Sequence, residues 1–185
     1  MRKIQPGLEL AIENACNSYE DYHFAIKQGL WRPLMTIAAK PFVDVLESPE
    51  NKGEIVEMLQ KTVDGKSSGE PYCMAFVQSV LAFVEKKLNM VSLLKSTEGC
   101  LDLWNSTSPH LKTTRYPLPG YIAIWQHGNT INGHAGLVLR VTDYYFKTIE
   151  ANSWSPDGKA QGIFTHERLY DGAGSMKLLG FLAPF

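Results

Sequence analysis

The spacing of apolar residues is helical in the first half of the chain and alternating in the second half. Over residues 8–26 the apolar positions recur every three or four residues, which predicts helices within the first fifty residues. A short amphipathic helix is predicted over residues 55–63. Residues 74–88 are apolar on nearly every helical face, which indicates a helix that is buried on most sides.

After Pro119 the period of the apolar positions changes to two, which is typical of β-strands. The alternating runs predict five short strands, over residues 121–126, 134–141, 145–150, 162–165 and 177–183. Helices that precede an antiparallel meander indicate the α+β class. We therefore expect a helical layer that packs on an antiparallel sheet.

One segment has the composition of an internal boundary. Residues 48–53, Ser-Pro-Glu-Asn-Lys-Gly, are turn formers, and they separate the first helices from the rest of the chain. We expect residues 1–50 to be a helical N-terminal extension packed on the core, and residues 51–185 to be the main domain. The extension could serve as a lid, as a partner-binding surface or as scaffold, and we favour scaffold.

Composition limits the classes of partner. Apolar residues make up 44% of the 185 positions and charged residues 20%, which is ordinary for a globular protein. The net charge of −1 gives no support for nucleic acid or an anionic membrane surface as the main partner. Three widely spaced cysteines without a CxxC pair argue against a disulfide framework and against a zinc site.

No leader or membrane span is expected from the sequence pattern. Glu9 and Glu13 interrupt the stretch that follows the basic start, so no continuous apolar region of a signal peptide forms. No apolar run approaches the length of a membrane-spanning helix. We expect a monomer that is synthesised in the cytoplasm without a signal peptide and has at least one free thiol.

Cys73 lies at the predicted start of a helix, a position that favours the thiolate form of a cysteine. It follows Pro71 and opens the apolar helix predicted from residue 74 onward. Unpaired backbone N–H groups and the positive end of the helix dipole favour the thiolate there, and the thiolate is the nucleophile. Cys16 and Cys100 have no such context, so we expect them to be small core residues. Cys73 is therefore the candidate nucleophile.

A histidine and two polar residues follow Cys73 in the order that a cysteine hydrolase needs. His134 opens a predicted strand, and Gly136 on the same face leaves room for a neighbour such as a helix N-terminus or a substrate. Glu150 and Asn152 lie two residues apart and can project to one face of the next strand. Either could orient a base histidine. His127, near the same hairpin, is the one serious rival to His134.

Four segments together resemble the CHAP domain, a family of cysteine, histidine-dependent amidohydrolases and peptidases. This family is related to the NlpC-type peptidases and to the wider papain-like fold. The resemblance covers about residues 54–185 and rests on residues 69–77, 119–122, 133–138 and 148–152. The chain departs from the family at Tyr121, where aspartate is frequent, and at Ala151, where glycine is frequent.

The resemblance implies a papain-like α+β fold and specific roles. Cys73 would be the nucleophile, His134 the general base, Glu150 the group that orients it and Asn152 a fourth polar member. No cofactor is expected. No metal is expected either, because Asp64 stands alone where some relatives have closely spaced aspartates for calcium. Three further residues are predicted to contact the oxyanion or the substrate: Tyr72, Tyr121 and Trp154.

The resemblance also implies a substrate. The family acts mainly on peptidoglycan, at the amide between muramic acid and L-alanine or within the stem or cross-bridge peptides. We expect action in the periplasm or cell wall after release by a holin or a secretion machine, as a phage lysin or an antibacterial effector, with an inhibitor or immunity protein as a partner. Two alternatives stay open: a cysteine protease or deamidase of proteins, and a non-catalytic module that binds a wall fragment or a partner.

Overall fold

The computed structural model describes residues 1–171 and 174–185, and within them the fold is α+β. The described part contains six α-helices: α1 (Pro6–Cys16), α2 (Asp21–Lys27), α3 (Trp31–Ala39), α4 (Glu54–Asp64), α5 (Cys73–Leu88) and α6 (Cys100–Ser106). Short 3-10 turns lie at Lys40–Phe42 and Pro109–Leu111. The helical first half that the apolar spacing predicts is present.

Six strands of the described residues form one antiparallel sheet. They are β1 (Lys112–Thr113), β2 (Ile122–His127), β3 (Gly133–Val141), β4 (Tyr145–Trp154), β5 (Gln161–Leu169) and β6 (Met176–Leu182). Their order is β1-β6-β2-β3-β4-β5, and every neighbouring pair is antiparallel. The five predicted strands correspond to β2–β6, although β4 and β5 extend further than the alternation indicates. The two-residue β1 and the seven-residue α6 were not predicted, because segments so short carry no periodic signal.

The helix α5 lies at the centre of the fold. Thirteen of its residues are buried, and it packs against β3 and β4 on one side and α3 and α4 on the other. Neighbours on both sides explain why its sequence is apolar on nearly every face. The N-terminal end of α5, at Cys73, is thereby fixed against the sheet.

The first fifty residues share their core with the rest of the chain. Apolar residues of α1–α3 belong to the same buried cluster as α5. The following segment runs along the edge strand β5, where the Asp44 N–H donates to the Ile163 carbonyl at 2.8 Å. Gly162 permits this approach, because a Cβ there would lie 2.2 Å from the Val45 carbonyl oxygen. These contacts agree with a scaffold role, and the domain boundary at residue 50 stays a prediction.

The sheet has two buried faces. One face carries Ile124, Leu137 and Ile149, which belong to the helical core. The other carries a smaller cluster around Trp125 and Phe146. Trp125 pairs directly with His134 across β2 and β3, so His134 is placed on this second face.

Replacing Gly162 with alanine should destabilise the protein by about 1–3 kcal/mol, because the added Cβ would overlap the backbone of the segment that crosses β5. Urea denaturation followed by circular dichroism measures the change. Gly7→Ala is the matched control: this helical glycine has room for a Cβ, and alanine there should be neutral or stabilising. Equal stability of both variants would contradict the close contact.

Candidate active site

Cys73 is the first residue of α5 and lies on the floor of a cleft of about 750 Å³. Its side chain is 5% exposed, and His134, Cys100 and Asn152 line the cleft around it. The backbone N–H groups of the first turn of α5 have no carbonyl partner within the helix. The thiol therefore lies at the helix end that stabilises negative charge.

The His134 ring is held by the carboxylate of Glu150, on the side of the ring that faces away from Cys73. Its Nε2 lies 2.9 Å from Glu150 Oε2, and its ring packs beside Trp125 with the centroids 5.8 Å apart. Because Nε2 is engaged, Nδ1 is the ring nitrogen available to Cys73. A carboxylate on the distant ring nitrogen fixes the orientation and tautomer of a base histidine, as in the serine-protease triad.

The Glu150 carboxylate is completely buried and fully surrounded by donors. Besides His134, it accepts hydrogen bonds from Thr148 Oγ1 at 2.5 Å and from Arg168 Nε at 2.8 Å and Nη2 at 2.5 Å. Gly136 makes room for it, because a Cβ there would lie 2.6 Å from Glu150 Cγ. The neighbour for which Gly136 leaves space is thus Glu150, and not a helix end or a substrate.

The electrostatics of the site favour an ionised Cys73–His134 pair. The hydrogen bond from Cys100 and the interaction with His134 outweigh burial and place the pKa of Cys73 well below its ordinary value. Burial disfavours the charged His134 ring, but Cys73 and Glu150 raise its pKa to about 10. Burial also opposes the Glu150 charge, yet Arg168 and His134 hold its pKa below its usual range. These three directions all favour the thiolate form of Cys73, the imidazolium form of His134 and the carboxylate form of Glu150.

Arg168 and Thr148 belong to the site, although the sequence reasoning missed both. Arg168 forms a two-pronged contact with Glu150 and lies over the Trp125 ring, 5.8 Å from its centroid. Alternation offers a signal for both: Thr148 shares a face with Glu150 on β4, and Arg168 lies on the adjacent strand β5. Using that signal requires the pairing register of β4 and β5, which the sequence pattern does not provide.

Cys100 is buried, as expected for a core residue, but it lies against Cys73. Its Sγ is 3.7 Å from Cys73 Sγ. Cys100 opens α6, which packs closely on β3 because Gly133 has no side chain; a Cβ on Gly133 would lie 2.9 Å from Cys100 Cβ. This proximity depends on the contact between α6 and β3, for which the sequence carries no local signal.

Asn152 requires a correction. The alternation predicts that Asn152 projects to the same face as Glu150, but β4 has a register shift here and Asn152 has a φ of 56°. Its side-chain amide donates to Asn51 Oδ1 at 3.1 Å. Asn152 lines the cleft, whereas the contact with His134 is made by Glu150. Of the two candidates left open by the sequence, the structure places Glu150 in the orienting position.

The predicted contacts of Tyr72 and Tyr121 with the substrate also require correction. Tyr72 is completely buried, and its hydroxyl donates to Glu47 Oε2 at 2.7 Å. Burial and Glu47 raise the pKa of that hydroxyl. The ring of Tyr121 stacks on Trp31 with the centroids 6.1 Å apart, and Tyr121 is not among the residues that line the cleft. Neither side chain is placed to meet a substrate.

Trp154, by contrast, borders the site. Its side chain is exposed and lines a hollow that continues from the cleft past His134 and Asn152. His127 lies along both parts of this surface, but the histidine bonded to a buried carboxylate is His134. Trp154 is therefore available to contact a bound molecule.

Two further properties of the described residues bear on partners. Within residues 1–171 and 174–185, no three His, Cys, Asp or Glu side chains are grouped as metal ligands. Over the same residues, none of the helices combines the length and apolar character needed to cross a bilayer.

Replacing Arg168 with lysine should loosen the hold on Glu150 and, through it, on His134, and so slow a reaction that depends on His134 by about 10-fold or more. Lysine cannot make two parallel hydrogen bonds to Glu150, and one hydrogen bond to a charged group contributes about 1.5–3 kcal/mol. The initial rate of that reaction, compared at equal protein concentration, measures the effect. Arg140→Lys, on the exposed part of β3, is the control and should retain full activity. Equal rates for the two variants would show that Arg168 does not contribute to the reaction.

Comparisons of this chain with family models, with curated proteins and with solved structures each return no match.

Proposed function

We propose that the protein is a cysteine-dependent amidohydrolase with a papain-like fold, and that it cleaves peptide or amide bonds of peptidoglycan. The observation that carries the proposal is Cys73 at the start of α5, beside a histidine whose Nε2 is bound to the buried Glu150 carboxylate. A thiol and an imidazole placed in this way can supply a nucleophile and a proton donor, which are the two groups that acyl transfer needs.

The mechanism follows from the charges of the site. The Cys73 thiolate attacks the amide carbonyl carbon, and the backbone N–H of Cys73 stabilises the resulting oxyanion. The His134 imidazolium then gives its proton to the leaving amine, and a thioester remains on Cys73. Neutral His134 next removes a proton from water, which attacks the thioester and releases the acid. Glu150 holds the ring in place throughout both steps.

The shape of the cleft supports an extended substrate. Its walls continue on both sides of His134, with Glu70 and Glu98 towards one end and Trp154 and Arg168 towards the other. A chain that crosses the site could therefore place its scissile amide at Cys73. Peptidoglycan as the source of that amide rests on the resemblance of the four sequence segments to the CHAP domain.

The biological setting is part of the same proposal. We favour a monomer that needs no cofactor and acts on the wall from the periplasmic or outer side, after release by a holin or a secretion machine. An inhibitor or immunity protein would then protect the cell that makes it. A protein substrate for the same residues is the alternative, and it predicts that sacculi are left uncut.

Digestion of purified sacculi tests the proposal. After incubation with the protein, muropeptides are separated and identified by mass spectrometry. We expect new pairs of products, cleaved at a single type of bond, in which one fragment carries a new amine and the other a new carboxyl group. The control is the same protein after alkylation with iodoacetamide, which blocks Cys73 and should leave the muropeptides unchanged. Unchanged muropeptides with the untreated protein, across sacculi with direct and with bridged cross-links, would contradict the proposed substrate.

A further inference from the structure

We propose that Cys73 and Cys100 form a reversible disulfide on exposure to a hydroperoxide, and that this bond switches the active site off. The bond requires only the two thiols and the oxidant. Its effect on activity rests on the proposed function, because it depends on Cys73 being the nucleophile.

The two sulfur atoms are already close. Their separation of 3.7 Å must shorten to the disulfide length of about 2.05 Å, so the two side chains must rotate towards each other as the bond forms. Cys73 opens α5 and Cys100 opens α6, so both lie at helix ends and not inside a helix. Both side chains are 5% exposed and line the same cleft, which gives a small oxidant access to them.

The packing of α6 on β3 holds the two thiols close together. Gly133 lets α6 approach β3 until Cys100 lies over the strand, and any larger residue there would collide with Cys100 Cβ and with the Trp125 carbonyl oxygen. Cys16, the remaining cysteine, is completely buried in α1, and its thiol contacts the Ile37 carbonyl at 3.8 Å. Cys73 and Cys100 are thus the two cysteines that lie close together in the cleft, and Cys16 lies apart from them.

The chemistry proceeds in two balanced steps. The Cys73 thiolate attacks the terminal oxygen of the hydroperoxide, the O–O bond breaks, and the departing alkoxide or hydroxide takes a proton from the His134 imidazolium. Cys73 becomes a sulfenic acid, and the peroxide is reduced by two electrons. The Cys100 thiol then attacks the Cys73 sulfur, and water leaves as the disulfide forms.

The charges of the pair suit this order of events. The hydrogen bond to anionic Cys73 and burial keep the pKa of Cys100 above its ordinary value, so Cys100 stays protonated while Cys73 is the thiolate. Conversion of Cys73 to the uncharged sulfenic acid removes that negative charge. The Cys100 proton is then lost more readily, just when its sulfur is needed as the nucleophile.

Mass spectrometry of the full-length protein tests the proposal. The protein is treated with hydrogen peroxide, remaining thiols are alkylated, and tryptic peptides are analysed before and after dithiothreitol. We expect a Cys73–Cys100 linked peptide pair, with Cys16 still free, and near-complete return of both thiols on reduction. In Cys100→Ser, the same treatment should carry Cys73 to sulfinic acid, which dithiothreitol does not reverse.

Activity is followed in parallel on the same samples. Wild type and Cys16→Ala should lose hydrolysis with peroxide and regain it with dithiothreitol, whereas Cys100→Ser should lose it permanently. Absence of the linked peptides, or equal recovery of Cys73 in wild type and Cys100→Ser, would overturn the proposal. The disulfide is scored by mass alone, so a protein that forms it without hydrolysing sacculi would contradict the proposed function while the disulfide itself stands.

Discussion

Replacing Cys73 with alanine should reduce hydrolysis of sacculi by at least about 10³-fold. Without the thiolate no thioester can form, and loss of a nucleophile in comparable sites leaves only residual catalysis from binding and oxyanion stabilisation. The muropeptide products of wild type and variant, compared at equal protein concentration, measure the loss. Because the Cys73 side chain is small and lies at a cleft, the free energy of unfolding should change by no more than about 1 kcal/mol.

Cys16→Ala is the matched control for Cys73→Ala. Cys16 is also buried, but it lies in α1 and does not line the cleft, and burial raises the pKa of its thiol to about 12. This variant should retain activity. Hydrolysis by Cys73→Ala at the wild-type rate would refute the nucleophile assignment, and loss of activity in both variants with loss of helical signal would indicate unfolding instead.

Replacing His134 with glutamine should lower hydrolysis by about 10²–10⁴-fold. Glutamine can still accept or donate a hydrogen bond towards Glu150, but it can neither protonate the leaving amine nor remove a proton from water. The pKa of Cys73 should also rise in this variant, because the interaction with the imidazolium that lowers it is lost. Rates of amine release and of iodoacetamide alkylation measure the two effects separately.

His127→Gln discriminates between the two candidate histidines. His127 lines the cleft but is the last residue of β2, and among the described residues no carboxylate is hydrogen-bonded to its ring. Its replacement should change hydrolysis by less than about 3-fold, since it takes no part in proton transfer. A greater loss of hydrolysis in His127→Gln than in His134→Gln would instead assign the role of general base to His127.

The sequence was informative where a residue's role depends on its own element. Cys73 could be placed at a helix start because Pro71 and the apolar run that follows are local signals. Likewise, His134 and Gly136 share a strand face by simple alternation, and the structure confirms the strand that carries them.

The sequence was uninformative where the role depends on contacts between distant elements or on irregular backbone. Asn152 was misplaced because a bulge interrupts the alternation of β4. Arg168 and Cys100 were missed because their positions depend on the pairing of β5 with β4 and on the packing of α6 on β3. Tyr72 adjoins Cys73 in sequence, yet its side chain points into the core and binds Glu47.

The pH dependence of Cys73 alkylation tests the central claim most directly, because it reports the ionised Cys73–His134 pair without any assumption about substrate. The rate of iodoacetamide labelling at Cys73 is measured by peptide mass spectrometry from pH 8 to pH 6. A lowered pKa keeps the thiolate populated as pH falls, so the rate should change by less than about 3-fold over this range. An ordinary thiol with a pKa of about 8.5 would slow roughly 75-fold over the same range, and that profile at Cys73 would contradict the account.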